Sequence, residues 1–505
     1  MKKYLNKSSL ILILLVCLGG LVFLNSYLKK ELRDSLGDQL SESSIDYDEI
    51  LVSIIKAKIT IEKPRWRVGR YFINTDKILV KNINYFDYIF HKRIVIGRIE
   101  ITEPEVIFNK NDSIQDSLFS NKDLHFDKEI LVKKFNLRGG SLIFKENKPV
   151  SNKLYLSIKE LSFYDILINS ETLKASFPFE YEREEIVSDS IFYELDENHD
   201  IFIKNLSLED QNLLVKDIRI IPKYNKSKFD SRISKEKDRF ELSLNSIQIQ
   251  NLDWTIKDDS LYLLAPVTHI SGADFKVYRN KLVPDDNSIK PLYSQMIRDL
   301  SIKIKFDSIF VDDSHLEYEE KHRESGPPGK LSFYDLNLKA FNITNLEMKS
   351  DKLPTTKIQL ETHFMNEAPL NLNWEFNVRN MEDDFKVSGN LESLSASAMN
   401  SFLKPTINVI VEGDIESLAF NFRGNKYQAK GDMLLKYNNF EVEVLKKDGT
   451  GKNKLLSGIA NLFVKKEANS EKLEKEGIEA IRDRTKSFWN FLWLFIRNGA
   501  LKSFL

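Results

Sequence analysis

The sequence predicts a mainly β protein: a transmembrane helix first, then a long antiparallel sheet with internal repeats, then a carboxy-terminal amphipathic helix. Three observations carry this. One unbroken apolar run stands near the start, a hydrophobic period of two dominates the long body after it, and an aromatic-rich apolar segment closes the chain.

The run Leu10 to Leu24 follows Lys2, Lys3 and Lys7 and continues through Tyr27 to Leu28. That is close to the roughly 20 helical residues that cross a hydrocarbon core of about 30 Å. A cleaved signal peptide would place small residues just after the run, yet the first alanine in the chain is Ala57. Cys17 follows Val16 in mid-run, the wrong setting for a lipoprotein signal. Tyr27, Lys29, Lys30 and Arg33 close the far end as an interfacial set, so an uncleaved anchor spanning residues 1–30 is expected, its amino terminus in the cytoplasm.

Over the whole chain the charges balance, 74 basic against 75 acidic, which leaves no global field to attract nucleic acid. Cys17 is the only cysteine, so the body holds no disulfide, thiol metal site or thiol nucleophile. An exported chain without disulfides suits a bacterial envelope better than a small secreted scaffold.

The body alternates. In Arg98 to Asn109 the pattern Ile99, Ile101 breaks at Pro104 and resumes at Val106 and Phe108, which reads as strand, break, strand because proline cannot donate to a ladder. Helical periodicity is confined to short segments near Ser294–Ile297 and Ala396–Phe402. An internal echo appears: Leu161-Ser-Phe-Tyr-Asp-Ile166 returns as Leu331-Ser-Phe-Tyr-Asp-Leu336, each behind a pair of strand patterns. A duplicated β unit that cannot close its own core stacks on its neighbour, which favours an elongated sheet.

The chain divides into the anchor, an amino-terminal β region (31–230), a repeated middle β region (231–384), a carboxy-terminal β module (385–464) and a helical amphipathic tail (465–505). In the module, Arg423–Lys426 and Tyr437–Phe440 sit where tight turns want positive φ. Phe440, Val442 and Val444 alternate with Glu441 and Glu443, giving one apolar and one wet face. In the tail, the charged stretch Lys465–Arg484 reads as helix. The apolar core Phe488–Ile496 is too short to span a membrane; Trp489, Trp493, Phe488 and Phe491 suit a membrane interface, while a helix capping the sheet serves equally.

Chemical motifs are scarce. Asp312, Asp313, His315, Glu317, Glu319 and His322 form the densest run of metal-ligand types, and a solvated strand face explains them more simply. Gly449-Thr-Gly-Lys452 lacks the spacing of a phosphate loop, and neither G-x-S-x-G nor H-E-x-x-H occurs. No enzyme, cofactor or metal is expected.

Several of these residues carry a resemblance. Gly413-Asp-Ile-Glu-Ser-Leu-Ala-Phe-Asn-Phe-Arg-Gly-Asn-Lys-Tyr, continuing to Met433, then Lys446–Lys454 and Leu455-Leu-Ser-Gly-Ile-Ala-Asn-Leu-Phe-Val464, resemble the terminal module of AsmA-like envelope proteins. The segment Ile309–Thr344 resembles the repeated middle part of the same group. The resemblance implies a curved, U-shaped sheet with an apolar inner groove, as in bridge-like lipid-transfer proteins. It also implies a part in moving phospholipid between envelope membranes and in outer-membrane integrity. Phe420, Phe422, Phe440, Val442 and Val444 are the candidate groove residues. The partners expected are phospholipid, the inner membrane and an envelope protein. The alternative is an anchored scaffold or outer-membrane-protein assembly factor that moves no lipid.

Overall fold

The computed structural model describes residues 45–53, 56–68, 70–91, 93–109, 129–145, 152–175, 179–257, 260–350, 353–446, 451–453, 457 and 474–504. The apolar run Leu10–Leu24 lies outside them, and among the described residues no helix is long and apolar enough to cross a membrane. Strand makes up 63% and helix 12%, so the mainly β expectation holds. Two compact units are present: Met1–Ile218 with Gln248–Leu264, and Arg219–Ile247 with Ala265–Leu505.

The first unit contains β1 (Ile45–Asp46), β2 (Glu49–Ser53), β3 (Lys58–Glu62), β4 (Arg65–Val68), β5 (Tyr71–Asn74), β6 (Lys77–Ile83), helix α1 (Tyr85–His91), β7 (Ile94–Thr102), β8 (Glu105–Asn109), β9 (Ile130–Lys145), β10 (Asn152–Ile168), β11 (Arg183–Ser188), β12 (Ser190–Glu194) and β13 (His199–Glu209). β16 (Asp253–Lys257) belongs to it too, and the unit boundaries fall inside β14 (Asn212–Pro222), β15 (Asp238–Gln250) and β17 (Ser260–Asn280). The β-branched residues that favour a pleated, half-buried surface also fill the core. Ile59, Val80, Ile94, Ile96, Ile130, Val132, Phe135 and Phe163 are all buried in one cluster.

Pro104 does break the strand: β7 ends at Thr102 and β8 begins at Glu105. Both then run beside β9, and they run parallel to it, two parallel pairings in a sheet whose pattern reads as mostly antiparallel. A parallel pair needs a crossover of a dozen or more residues, and the chain between Asn109 and Ile130 is long enough to supply one. Opposite the break, Gly139 has φ +55°, and a Cβ there would strike the Glu103 carboxylate. The left-handed backbone favours glycine at that position, while the Glu103 carboxylate could swing aside from a Cβ.

The second unit contains α2 (Lys226–Asp230), α3 (Tyr293–Arg298), β18 (Lys303–Lys321), β19 (Gly329–Thr344), β20 (Thr356–Phe364), β21 (Ala368–Phe376), β22 (Phe385–Ser395), α4 (Asn400–Ile407), β23 (Val409–Gly424), β24 (Gln428–Val444), β25 (Glu474–Ile481) and α5 (Phe488–Phe504). From β18 to β25 each strand pairs antiparallel with the next, an uninterrupted meander. The short helical segments fall where the sequence places them: α3 over Ser294–Ile297, and a 3-10 turn, Ala396–Met399, leading into α4.

The two copies of Leu-Ser-Phe-Tyr-Asp take matching positions. Each lies on the second strand of a long hairpin, β9–β10 or β18–β19. Each puts its aspartate in the left-handed region, Asp165 at φ 51° and Asp335 at φ 48°.

Two local expectations are corrected. The turn at Arg423–Lys426 is real, with the Asn425 side chain accepting from the Tyr427 and Gln428 amides. Tyr437–Phe440, by contrast, lies inside the unbroken β24, where Asn439 (φ 48°) makes a bulge against Gly413 (φ 102°). A bulge and a tight turn ask for the same left-handed backbone, so the residue types alone do not separate them. Within the charged stretch Lys465–Arg484, residues Glu474–Ile481 form strand β25 instead of helix. Ile478 and Ala480 face the core while Glu479 and Ile481 face out, a period of two that the surrounding lysines and glutamates mask.

Candidate functional site

In the first unit five strands each carry three consecutive apolar or aromatic residues: Val106-Ile-Phe, Leu142-Ile-Phe, Leu154-Tyr-Leu, Ile191-Phe-Tyr and Ile201-Phe-Ile. The pairing brings them into register with one another and with β5. One row reads Tyr71, Phe108, Phe144, Leu154, Tyr193, Ile201, and two residues along on the same face runs Ile73, Val106, Leu142, Leu156, Ile191, Ile203. Between them, on the opposite face, lie Phe72, Ile107, Ile143, Tyr155, Phe192 and Phe202. Phe108 stacks on Phe144 with ring centroids 4.9 Å apart, and Phe192 meets Phe202 at 5.1 Å.

Burial divides these rows. Tyr71 and Ile73 are sealed in the core, whereas from β8 to β13 the apolar side chains on both faces are only half-buried. A sheet with one solvated face alternates apolar with polar, so a segment that is apolar on both faces and, among the described residues, sealed on neither is a candidate recognition surface. Six strands at about 4.8 Å spacing give a strip roughly 24 Å long. On α1 of the same unit, Phe86 and Phe90 are 60% and 66% exposed with rings 4.5 Å apart, a second apolar feature that strand patterns do not reveal.

The second unit has a comparable face that is partly covered. One row crosses it as Ile309, Ala340, Ile358, Trp374, Val387, Phe422 and Ile478, with Gly431 between the last two, and the next as Val311, Leu338, Leu360, Leu372, Gly389, Phe420 and Met433. Helix α5 lies on the β21–β25 end: Phe488 stacks on Trp374, and Phe495 packs against Phe422. There Trp374, Val387, Phe420, Phe422 and Met433 are buried. Toward β18 to β20, Ile309, Val311, Leu338, Ile358 and Leu360 are half-buried.

This placement sorts the residues singled out in the sequence. Phe420, Phe422 and Phe440 are buried in the core, so they hold the sheet together; Val442 and Val444 are half-buried on the far side of the Asn439 bulge. Of the four tail aromatics, Phe488 and Phe491 point into the core, each 3% exposed. Trp489 and Trp493, at 49% and 40%, remain outward. The split follows helical spacing, since residues 488, 491 and 495 share one face.

Polar anchoring flanks the covered end. Arg298 of α3 pairs with buried Asp383 at 2.8 Å, Ser294 donates to the same carboxylate at 2.9 Å, and Trp489 donates its Nε1–H to the Tyr293 hydroxyl at 3.0 Å. Burial raises the Tyr293 pKa, so the phenol stays neutral.

The acidic and histidine run on β18 is dispersed among separate partners. His315 meets Asp274 at 2.9 Å, Glu317 pairs with Lys330, Glu319 with Lys226, and His322 with Glu320 at 2.9 Å. Partial burial pushes the Asp274 carboxyl up, but hydrogen bonds from Lys276 and His315 outweigh it and hold it below the usual carboxylate value. Asp312 and Asp313 stay exposed. Among the described residues no group of three or more such side chains is placed to hold a metal ion.

No family model matches the chain, and no curated protein matches it. The likeness to AsmA-like envelope proteins therefore stands on its motif residues alone.

Proposed function

We propose that the protein binds or conducts phospholipid between envelope membranes, anchored in the bacterial inner membrane by Leu10–Leu24 with its β body in the periplasm. One observation carries the reading: the in-register apolar triplets of β8, β9, β10, β12 and β13, half-buried on both faces. An acyl chain leaving water gains about 0.8 kcal/mol per buried methylene, so a strip of this length and composition offers hydrocarbon tails a favourable path while head groups stay hydrated. Left-handed residues at register shifts inside the long strands of the second unit, Asp313, Asp335, Gly413 and Asn439, make bulges that bend them locally. Such bends support a ribbon curled into the groove that the AsmA-like resemblance implies. The chemistry asked of the protein is binding and orientation, with no bond made or broken.

Mild extraction of the full chain followed by mass spectrometry of what accompanies it tests the reading. Phospholipid recovered in stoichiometric amount supports it. Repeated recovery of lipid-free protein, or of a bound protein in place of lipid, rejects it, the latter in favour of an envelope scaffold.

A further inference from the structure

The polar face of β20–β25, across the sheet from Phe420 and Phe422, carries a charge ladder. Strand register sets Lys357, Glu375, Lys386, Arg423, Lys430 and Glu479 directly opposite one another in a single row. Lys357 and Glu375 approach to 3.9 Å. The three central cations follow one another with no acidic residue between them, all three are exposed, and among the described residues none has an ion-pair partner. Like charges directly opposite on neighbouring strands destabilise a sheet. Lysines often protect sheet edges, but β23 is flanked by β22 and β24 and has no edge to protect.

The repulsion is matched to a shape. Glu375, Lys386, Arg423, Lys430 and Glu479 form one wall of a concavity of 610 Å³, the three cations at its centre and a carboxylate at either end, and the next row on that face, Asn377, Asp384, Asn425 and Gln428, forms the other wall. Asp384 is the one acidic group of that second wall, and the Asn380 side chain donates to it at 2.8 Å. A guanidinium fork at the centre, ammonium groups on either side and amides opposite are the donors a tetrahedral oxyanion takes.

We propose that Lys386, Arg423 and Lys430 form a binding site for phosphate groups on this face. The site is separate from the apolar strips and holds whether or not they take lipid. A bound phosphate offsets the cross-strand repulsion that the empty ladder carries.

Calorimetric titration of the detergent-solubilised full chain with pyrophosphate tests it, with dihexanoyl phosphatidic acid, below its micellar concentration, presenting the same group on a lipid. Wild type binds pyrophosphate, more weakly as salt rises. Arg423→Gln weakens binding at least tenfold, and Lys357→Gln, in the same row but already paired, leaves it unchanged. Without ligand, Arg423→Gln melts no lower than wild type because a repulsion has been removed, which separates loss of the site from loss of the fold. Tighter binding of the short-chain lipid, also lost in Arg423→Gln, makes the ligand a lipid head group; equal or weaker binding makes it a free phosphate. No binding of either probe, or binding untouched by Arg423→Gln, overturns the proposal.

Discussion

Phe488 lies face to face on Trp374, ring centroids 4.4 Å and planes 7° apart. This contact fastens the carboxy-terminal helix to the apolar face of the second unit. Phe491 and Phe495 extend it along the same helix face, each almost fully buried. Phe495→Ala should cost about 3–5 kcal/mol, the range for truncating a buried aromatic. Trp493→Ser, on the outward face, should stay within about 0.5 kcal/mol of wild type. Denaturant unfolding of the two variants checks both; equal losses would contradict the assigned orientation of the helix.

The half-buried strip in the first unit makes a different demand. Leu142 and Leu156 are directly opposite on β9 and β10 and half-buried, so Leu142→Glu or Leu156→Glu keeps its charge hydrated and leaves the fold intact. Phe135, on β9 and fully buried, cannot, and Phe135→Glu should unfold the unit because an unpaired buried charge costs several kcal/mol, at least about 3. Circular dichroism and the amount of co-extracted lipid distinguish the cases. The expected pattern is a folded, lipid-poor protein for the first pair and an unfolded one for the last.

Acid should weaken the second unit through Glu320. Burial pushes its carboxyl up, but hydrogen bonds from His322 and Tyr318 outweigh that and hold it below the ordinary glutamate value. A depressed carboxyl stabilises the fold above its unfolded pKa of about 4.3, and that stability is lost as pH falls through the folded value. Below about pH 4.3, wild-type stability should therefore fall more steeply than that of Glu320→Gln. Parallel pH titrations of unfolding midpoints would show it, and identical slopes would remove Glu320 from the account.

The duplicated aspartates offer a backbone test. Asp335 holds φ 48°, which glycine accepts freely and a β-branched residue resists. Asp335→Gly should change stability by less than about 1 kcal/mol, whereas Asp335→Val should cost about 1–3 kcal/mol. The same ordering is expected at Asp165, since the two hairpins share this conformation.

Local pattern made much of this fold legible. The break at Pro104, the hairpins around both Leu-Ser-Phe-Tyr-Asp copies, the turn at Asn425 and the helix near Ala396 all follow from residues within a few positions of each other. Parallel pairing of β7 and β8 with β9 was not legible, because alternation carries no direction. Nor was β25, whose two inward residues, Ile478 and Ala480, are too few to outweigh a charged neighbourhood. Which apolar faces are sealed was not legible either, for a related reason. Phe420 and Phe422 read as an open face because nothing local says that Phe495 packs against it. The triplets Val106-Ile-Phe and Leu142-Ile-Phe did carry a signal: a strand apolar at three successive positions has no wet face. Only the register shows that five such strands lie side by side.

The most direct measurement of the central claim is photo-crosslinking from the strip itself. A benzophenone side chain placed at Leu156, with a second placed at exposed Lys204 on β13 as control, would be irradiated in cells and its adducts weighed. The account predicts phospholipid-mass adducts at Leu156 and none at Lys204. Adducts to protein alone at Leu156, or lipid adducts equal at both positions, would contradict it.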